Sequence, residues 1–249
     1  MAGTALLGRL SWLLAEVVEV TVETPTVRSI TFEVPGWPGH RPGQHVDVRL
    51  TADDGYQAQR SYSIANPVEG EMVVLTVEYL PDGEVSSFLV DELQVGDRLE
   101  LRGPIGGYFV WEPEHGGPLQ LVAGGSGIVP LMAMARANSA AAGPVPARLL
   151  YSARTADELI YRKELGSLSH PFEASYTLTR SQPPDWAGYD RRVDGAMLEE
   201  ACFAVESHPM VFVCGPTGFV EAVADLLVAR GHAADRVKTE RFGPTGGPS

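Results

Sequence analysis

The sequence predicts two domains of different architecture: an antiparallel β-barrel over residues 1–114, followed by a doubly wound parallel α/β sheet over residues 115–249. Three observations predict them. Short β-branched segments separated by Pro, Gly and Asp turns fill the first half. From about Gly117 an apolar strand, a Gly-rich turn and a helix recur, the rhythm of parallel sheets. The length of 249 residues, 44% hydrophobic and 20% charged, suits two domains of roughly 100 to 150 residues.

The barrel strands are expected at Ala15 to Thr21, Val27 to Val34, His45 to Leu50, Gln59 to Ile64, Met72 to Tyr79 and Arg98 to Gly103. Turn chemistry separates them at Pro35-Gly36, Pro42-Gly43, Asp53-Asp54-Gly55, Asn66-Pro67 and Pro81-Asp82-Gly83. Ser87 to Glu92 reads as the one helix of this half. In the second half Leu119 to Ala123 leads through Gly124-Gly125-Ser126-Gly127 into a helix from Ile128 to Asn138. Ala147 to Ser152 precedes a helix from about Ala156, where Thr155 and Glu158 have capping-box spacing. Phe172 to Thr179 is a further strand, and Met210 to Cys214 leads into a helix ending near Ala229. The boundary falls near Trp111 to Pro118. Ligands of such sheets bind beyond the carboxyl ends of the strands.

Charge and cysteine content exclude several classes. With 19 Lys and Arg against 32 Asp and Glu, the net charge of −13 makes nucleic acid an unsuitable partner. Apolar runs fall short of the roughly 18 to 20 residues of a membrane span, and Arg9 and Glu16 break the opening stretch, so the expected compartment is cytoplasmic. Cys202 and Cys214 are too few for a disulfide framework or a four-thiolate iron-sulfur cluster, and no metal site is expected.

Three segments carry chemistry. Gly124, Gly125, Ser126 and Gly127 form a turn in which backbone N–H groups and a helix start can meet a pyrophosphate. Pro130 stands where a G-x-G-x-x-G pattern has its third Gly, so the turn reads either as a phosphate cradle or as a tight turn without a ligand. Cys214-Gly215-Pro216 ends another strand of the same edge; Cys214 is either a site residue or a small buried hydrophobe. Arg60-Ser61-Tyr62-Ser63 offers a guanidinium fork, an aromatic face and a hydroxyl on one strand.

Taken in order, Arg60-x-Tyr62-Ser63, Gly83-x-x-Ser86-x-x-Leu89, Gly96-Asp97, Gly103-Pro104-x-Gly106-x-x-Phe109, Gly124 to Gly127, Cys214-Gly215-Pro216 and Glu240-x-Phe242 resemble the ferredoxin-NADP reductase family over nearly the whole chain. The resemblance implies an FAD-binding barrel and an NAD(P)-binding sheet. Arg60 would hold the FAD pyrophosphate, Tyr62 would pack on the isoalloxazine, and Ser63, followed by Ile64, would lie near flavin N5. Gly83, Val85, Ser86 and Ser87 would add backbone and hydroxyl contacts to the diphosphate. Gly124 to Gly127, with Gly215 and Pro216, would receive the nicotinamide nucleotide. Cys214 and Glu240 would flank the meeting point of the two rings, making Ser63, Cys214 and Glu240 the catalytic group. Phe242 would cover the flavin face, although the plant-type terminal Tyr is replaced by Phe and Gly243 to Ser249 follow it.

Arg154, after a strand end, reads either as a solvated residue or as the group that binds an adenosine 2′-phosphate; the expected cofactors are FAD and NADPH, with NADH the alternative. The resemblance implies an enzyme that takes hydride from NAD(P)H onto FAD and passes electrons to a separate partner, a ferredoxin or a haem or iron-sulfur oxygenase. Arg28, Arg41 and Arg49 are the candidate docking residues for an acidic partner. The alternatives are a reductase of a small acceptor such as free flavin or quinone, and a nucleotide-binding regulatory subunit that does not turn over.

Overall fold

In the computed structural model, residues 10–168 and 170–242 are described. The expected features of the extreme N-terminus and of the tail after Phe242 lie outside them. The first half forms β1 (Trp12–Thr24), β2 (Val27–Glu33), β3 (His45–Thr51), β4 (Gln57–Ser63), β5 (Met72–Glu78), α1 (Glu84–Ser87), continued by a π-helical turn Phe88–Glu92, and β6 (Arg98–Ile105). These strands build one antiparallel sheet in the order β4-β3-β6-β1-β2-β5. A bridge between Ile64 and Leu75 brings its two edges together. Alternation sends Ala15, Val17, Ile30, Phe32, Val46, Val48, Val73, Leu75, Leu99 and Leu101 to the interior. The helical segment begins at Glu84, three residues earlier than its sequence signal, because Val85 and Leu89 both plug the barrel core.

The second half contains β7 (Leu119–Gly124), α2 (Ile128–Ala140), β8 (Ala147–Ala153), α3 (Arg162–Ser167), β9 (Phe172–Leu178), α4 (Gly195–Ala201), β10 (Met210–Pro216), α5 (Thr217–Ala229) and β11 (Val237–Phe242). All five strands are parallel, in the order β11-β10-β7-β8-β9. Leu121, Leu149 and Phe212 pack with α2 on one face, and Val122, Leu150 and Val213 pack with α4 and α5 on the other. Burial on both faces explains the continuous apolar runs of β7 and β10.

One expected helix is corrected. A single 3₁₀ turn, Ala156–Glu158, replaces the helix start, and Thr155 makes no side-chain cap bond. Leu159, Ile160 and Tyr161 then turn inward in succession, each at most 3% exposed. The chain breaks at Tyr161, with φ of 59°, and α3 starts after it. Two elements carried no sequence assignment: α4, whose N-cap Asp194 accepts from the Met197 amide at 2.8 Å, and β11.

The halves meet along an apolar seam. Val27, Ala65, Phe109 and Trp111 share one cluster with Leu131, Tyr161, Phe212 and Cys214. The Phe109 and Phe212 rings cross edge to face at 5.3 Å, and Lys238 lies 4.5 Å over the Tyr108 ring.

Candidate functional site

The carboxyl ends of β7, β8, β10 and β11 lie side by side, and the loops that follow them line one sheet edge. After β7, Gly125–Gly127 form a 3₁₀ turn that runs directly into α2. A Cβ on Gly127 would stand 2.1 Å from the Cys214 carbonyl oxygen, so only glycine lets this loop pack against β10. Gly125 takes φ of 54°, and Ser126 is half-buried beside it. Pro130 occupies the first turn of α2, where its missing N–H would have had no intrahelical partner. The departure from G-x-G-x-x-G therefore costs the helix no hydrogen bond.

Cys214 is fully buried and in register with Ala123 on β7 and Glu240 on β11. Burial pushes its thiol well above the usual range, and the nearby Glu240 carboxyl adds to the effect. Gly215 follows, with Pro216 at the N-cap of α5 and in register with Phe242. Burial raises the Glu240 carboxyl to about 7, and its Oε2 has no hydrogen-bond partner. Phe242, partly buried at the end of β11, packs on the seam cluster.

On the barrel side, Ser63 ends β4, 5% exposed, and its Oγ also lacks a partner. Two residues on, Ala65 belongs to the same apolar cluster as Cys214. Arg60 is exposed, its Nη1 donating to the Gln59 carbonyl at 2.7 Å. Tyr62 is half-buried; burial pushes its hydroxyl up to about 12, against the pull of Arg60. Ile64 and Val85 point their side chains into the barrel core, which leaves only their backbones for a ligand.

The Gly83 turn is organised from within. Ser86 Oγ donates to the Gly83 carbonyl at 3.2 Å and accepts from the Leu80 amide at 3.3 Å, and Ser87 Oγ donates to the Glu84 carbonyl at 3.1 Å. Both hydroxyl protons are committed, so an anion here would meet backbone N–H groups rather than hydroxyls. A Cβ on Gly83 would lie 2.4 Å from Ser86 Oγ.

Arg154 is exposed beyond β8, and its carbonyl accepts the Arg180 amide at 2.9 Å. Arg180 therefore stands next to it at the same edge. The sequence reading missed Arg180, whose only signal is its place after the strand end at Leu178. The three arginines read as docking candidates each have a local partner. Arg28 donates to the Thr24 and Val27 carbonyls, Arg41 lies 3.6 Å from Glu112, and Arg49 pairs with Glu100 at 2.6 Å while resting on the Trp12 ring. A cavity of about 610 Å³ opens on the barrel between Tyr56, Glu84, Phe88 and Arg98, and none of the expected cofactor-binding residues lines it.

Comparison with known proteins agrees with this layout. Residues 14–110 match the oxidoreductase FAD-binding domain and residues 121–225 the oxidoreductase NAD-binding domain. The glycine betaine monooxygenase reductase subunit of Chromohalobacter salexigens is 33% identical over 238 residues; the match covers 92% of this chain but only 63% of that relative's length. The cytochrome b5 reductase domain of Ulva prolifera nitrate reductase superposes with a TM-score of 0.82 at 25% identity, covering 92% of this chain and 97% of that one. A ferredoxin NADP+ reductase from Neisseria gonorrhoeae with bound FAD and NADP shares the fold, with a TM-score of 0.78 at 20% identity over 92% of this chain and 98% of the other. With both domain models matched in order along it, the chain belongs to the ferredoxin-NADP reductase family of FAD- and NAD(P)-binding oxidoreductases.

Proposed function

We propose that this chain takes hydride from NAD(P)H onto FAD and hands electrons to a separate acceptor protein, an iron-sulfur or haem component of an oxygenase system. The observation that carries the reading is that, of three buried, unpartnered side-chain polar atoms among the described residues, Ser63 Oγ comes from the barrel and Glu240 Oε2 from the sheet, the third being Trp111 Nε1. Leaving such groups unsatisfied costs about 1–3 kcal/mol each. A ligand with polar ring atoms accounts for the first two. The similarity to a monooxygenase reductase subunit supports an oxygenase as the acceptor.

When bound, FAD supplies an acceptor for hydride and a source of single electrons. The protein's own part is positioning and proton control. The barrel half, residues 1–114, is the FAD-binding domain: Arg60 holds the pyrophosphate with the backbone of Gly83 to Ser87, Tyr62 lies along the ring system, and Ser63 offers its hydroxyl. The half from 115 to 249 is the NAD(P)-binding domain, where Gly124 to Gly127, Gly215 and Pro216 receive the dinucleotide. Cys214 stays neutral and provides a small, dry surface for the nicotinamide. Glu240, raised to about 7, can hold or release a proton near neutral pH. Phe242 shields the ring face from water.

Arg154, with Arg180 beside it, supports a preference for NADPH, since two guanidinium groups at one strand edge suit a 2′-phosphate. Among the described residues no helix is long and apolar enough to cross a membrane. The unpaired thiols of Cys202 and Cys214 suit a reducing cytoplasm.

The test is direct. The purified protein is expected to carry an oxidised-flavin spectrum that NADPH bleaches anaerobically, and then to reduce an added ferredoxin faster than free flavin. A chain that takes up no FAD, or whose flavin neither nucleotide reduces, rules the reading out.

A further inference from the structure

We infer that Arg136 and Tyr161 are positioning residues that clasp the NAD(P)-binding sheet to the barrel and so set how the two rings meet; the inference rests on the functional reading above. Arg136 lies eight residues into α2, the helix that begins at the Gly125–Gly127 turn. Its Nη1 donates to the Ala65 carbonyl at 2.6 Å, two residues beyond Ser63. Ala65 is itself anchored, its amide donating to the Val74 carbonyl at 2.8 Å. One helix therefore carries the dinucleotide turn at its start and, about 12 Å along its axis, a direct bond to the end of the strand that carries Ser63.

The same guanidinium is fixed from two other sides. It forms a bidentate pair with Glu164, at 2.8 and 2.6 Å, and stacks 4.8 Å from the Tyr161 ring centre. Tyr161 is 3% exposed and holds the left-handed conformation that bulky residues avoid. That conformation aims its hydroxyl across the seam, where it donates to Thr76 on β5. Thr76 and Ser29 hydroxyls lie 2.8 Å apart, and Ser29 donates to Glu23 at 2.6 Å. With Thr76 donating to Ser29, each hydroxyl accepts once and donates once, so the chain ends on a carboxylate with no donor left over. Phe109 against Phe212 and Tyr108 under Lys238 hold the seam through a separate set of residues. A sheet held at both sets of contacts cannot swing without breaking one of them.

Tyr161→Phe removes only the hydroxyl that crosses the seam, and Arg136→Met removes the bond to Ala65. Both variants are expected to retain FAD and bind nucleotide almost as the parent does. Their limiting rate of anaerobic flavin reduction should fall roughly ten- to hundredfold, since small misplacements have effects of that order. The long-wavelength charge-transfer band between nucleotide and flavin should weaken in parallel, and Arg136→Lys should restore part of both. A residue that only stabilises the fold would lower the melting temperature and leave the limiting rate per bound flavin and the band unchanged; that result overturns the inference. If the parent holds FAD but neither nucleotide reduces it, the functional reading falls by itself. Amide exchange at 63–66 and 74–78 then decides the clasp: faster exchange in both variants supports it, and exchange equal to the parent's refutes it.

Discussion

Cys214 and Glu240 are register partners on β10 and β11, and the same burial drives thiol and carboxyl alike toward their neutral forms. The sheet edge thus brings two acids together without a counter-charge, and Glu240 has no hydrogen bond at Oε2 to offset its desolvation.

This makes Glu240 a source of pH-dependent stability. Its carboxyl is raised from 4.5 to about 7, so the native state binds the proton more tightly than the unfolded chain. The stability it contributes is complete below about pH 4.5 and is lost as pH rises through 7. The full loss is on the order of 3 kcal/mol. Glu240→Gln stays neutral throughout, so its melting temperature should gain on the parent's by several degrees between pH 4.5 and pH 8.5. A gap that does not change with pH would show that the carboxyl ionises freely in the folded protein.

Arg60→Ala should lower FAD retention with little change in fold, because the side chain is exposed and its one bond is to the neighbouring Gln59 carbonyl. Loss of a charge-assisted phosphate contact corresponds to about 1.5–3 kcal/mol, or roughly ten- to hundredfold in affinity. Equilibrium dialysis or flavin fluorescence measures it. Tight binding in the variant would remove Arg60 from the pyrophosphate site.

Gly127→Ala sets a Cβ 2.1 Å from the Cys214 carbonyl oxygen and 2.6 Å from the Gly215 nitrogen, both backbone atoms that cannot rotate away. The loop after β7 must then separate from β10. A loss of stability of about 2 kcal/mol or more is expected by chemical denaturation, together with a raised KM for the nicotinamide nucleotide. A variant with parent-like stability and KM would mean that the two loops are not held against each other in solution.

Arg154→Ala and Arg180→Ala should each raise KM for NADPH and leave NADH nearly unchanged if the pair reads a 2′-phosphate, with the double variant more affected than either single one. Steady-state rates with both nucleotides measure this. An equal effect on NADH and NADPH would assign the two arginines to the adenosine or to solvent.

The barrel was legible in the sequence because its strands alternate and its turns carry Gly, Pro and Asp. The parallel sheet was legible because β7 and β10 are continuously apolar. β11 escaped notice since Val-Lys-Thr-Glu-Arg-Phe is a polar edge strand with one paired neighbour, and α4 because it is only seven residues long. The segment after Thr155 misled because capping-box spacing is a local signal, whereas Leu159, Ile160 and Tyr161 turn inward to partners distant in sequence, Tyr161 bonding Thr76 of the barrel. Ser63, Cys214 and Glu240 could be grouped only through the order of family motifs, since no short-range pattern joins them. Arg136 and Tyr161 left no trace in the pattern: their partners Ala65 and Thr76 are far away in sequence.

Glu240 is carried by an edge strand whose one paired neighbour is β10, so its buried place beside Cys214 exists only once β10 is in position. During synthesis the barrel emerges first and β11 last among the described strands. The last described strand to leave the ribosome is therefore the one that completes the Cys214–Glu240 pair.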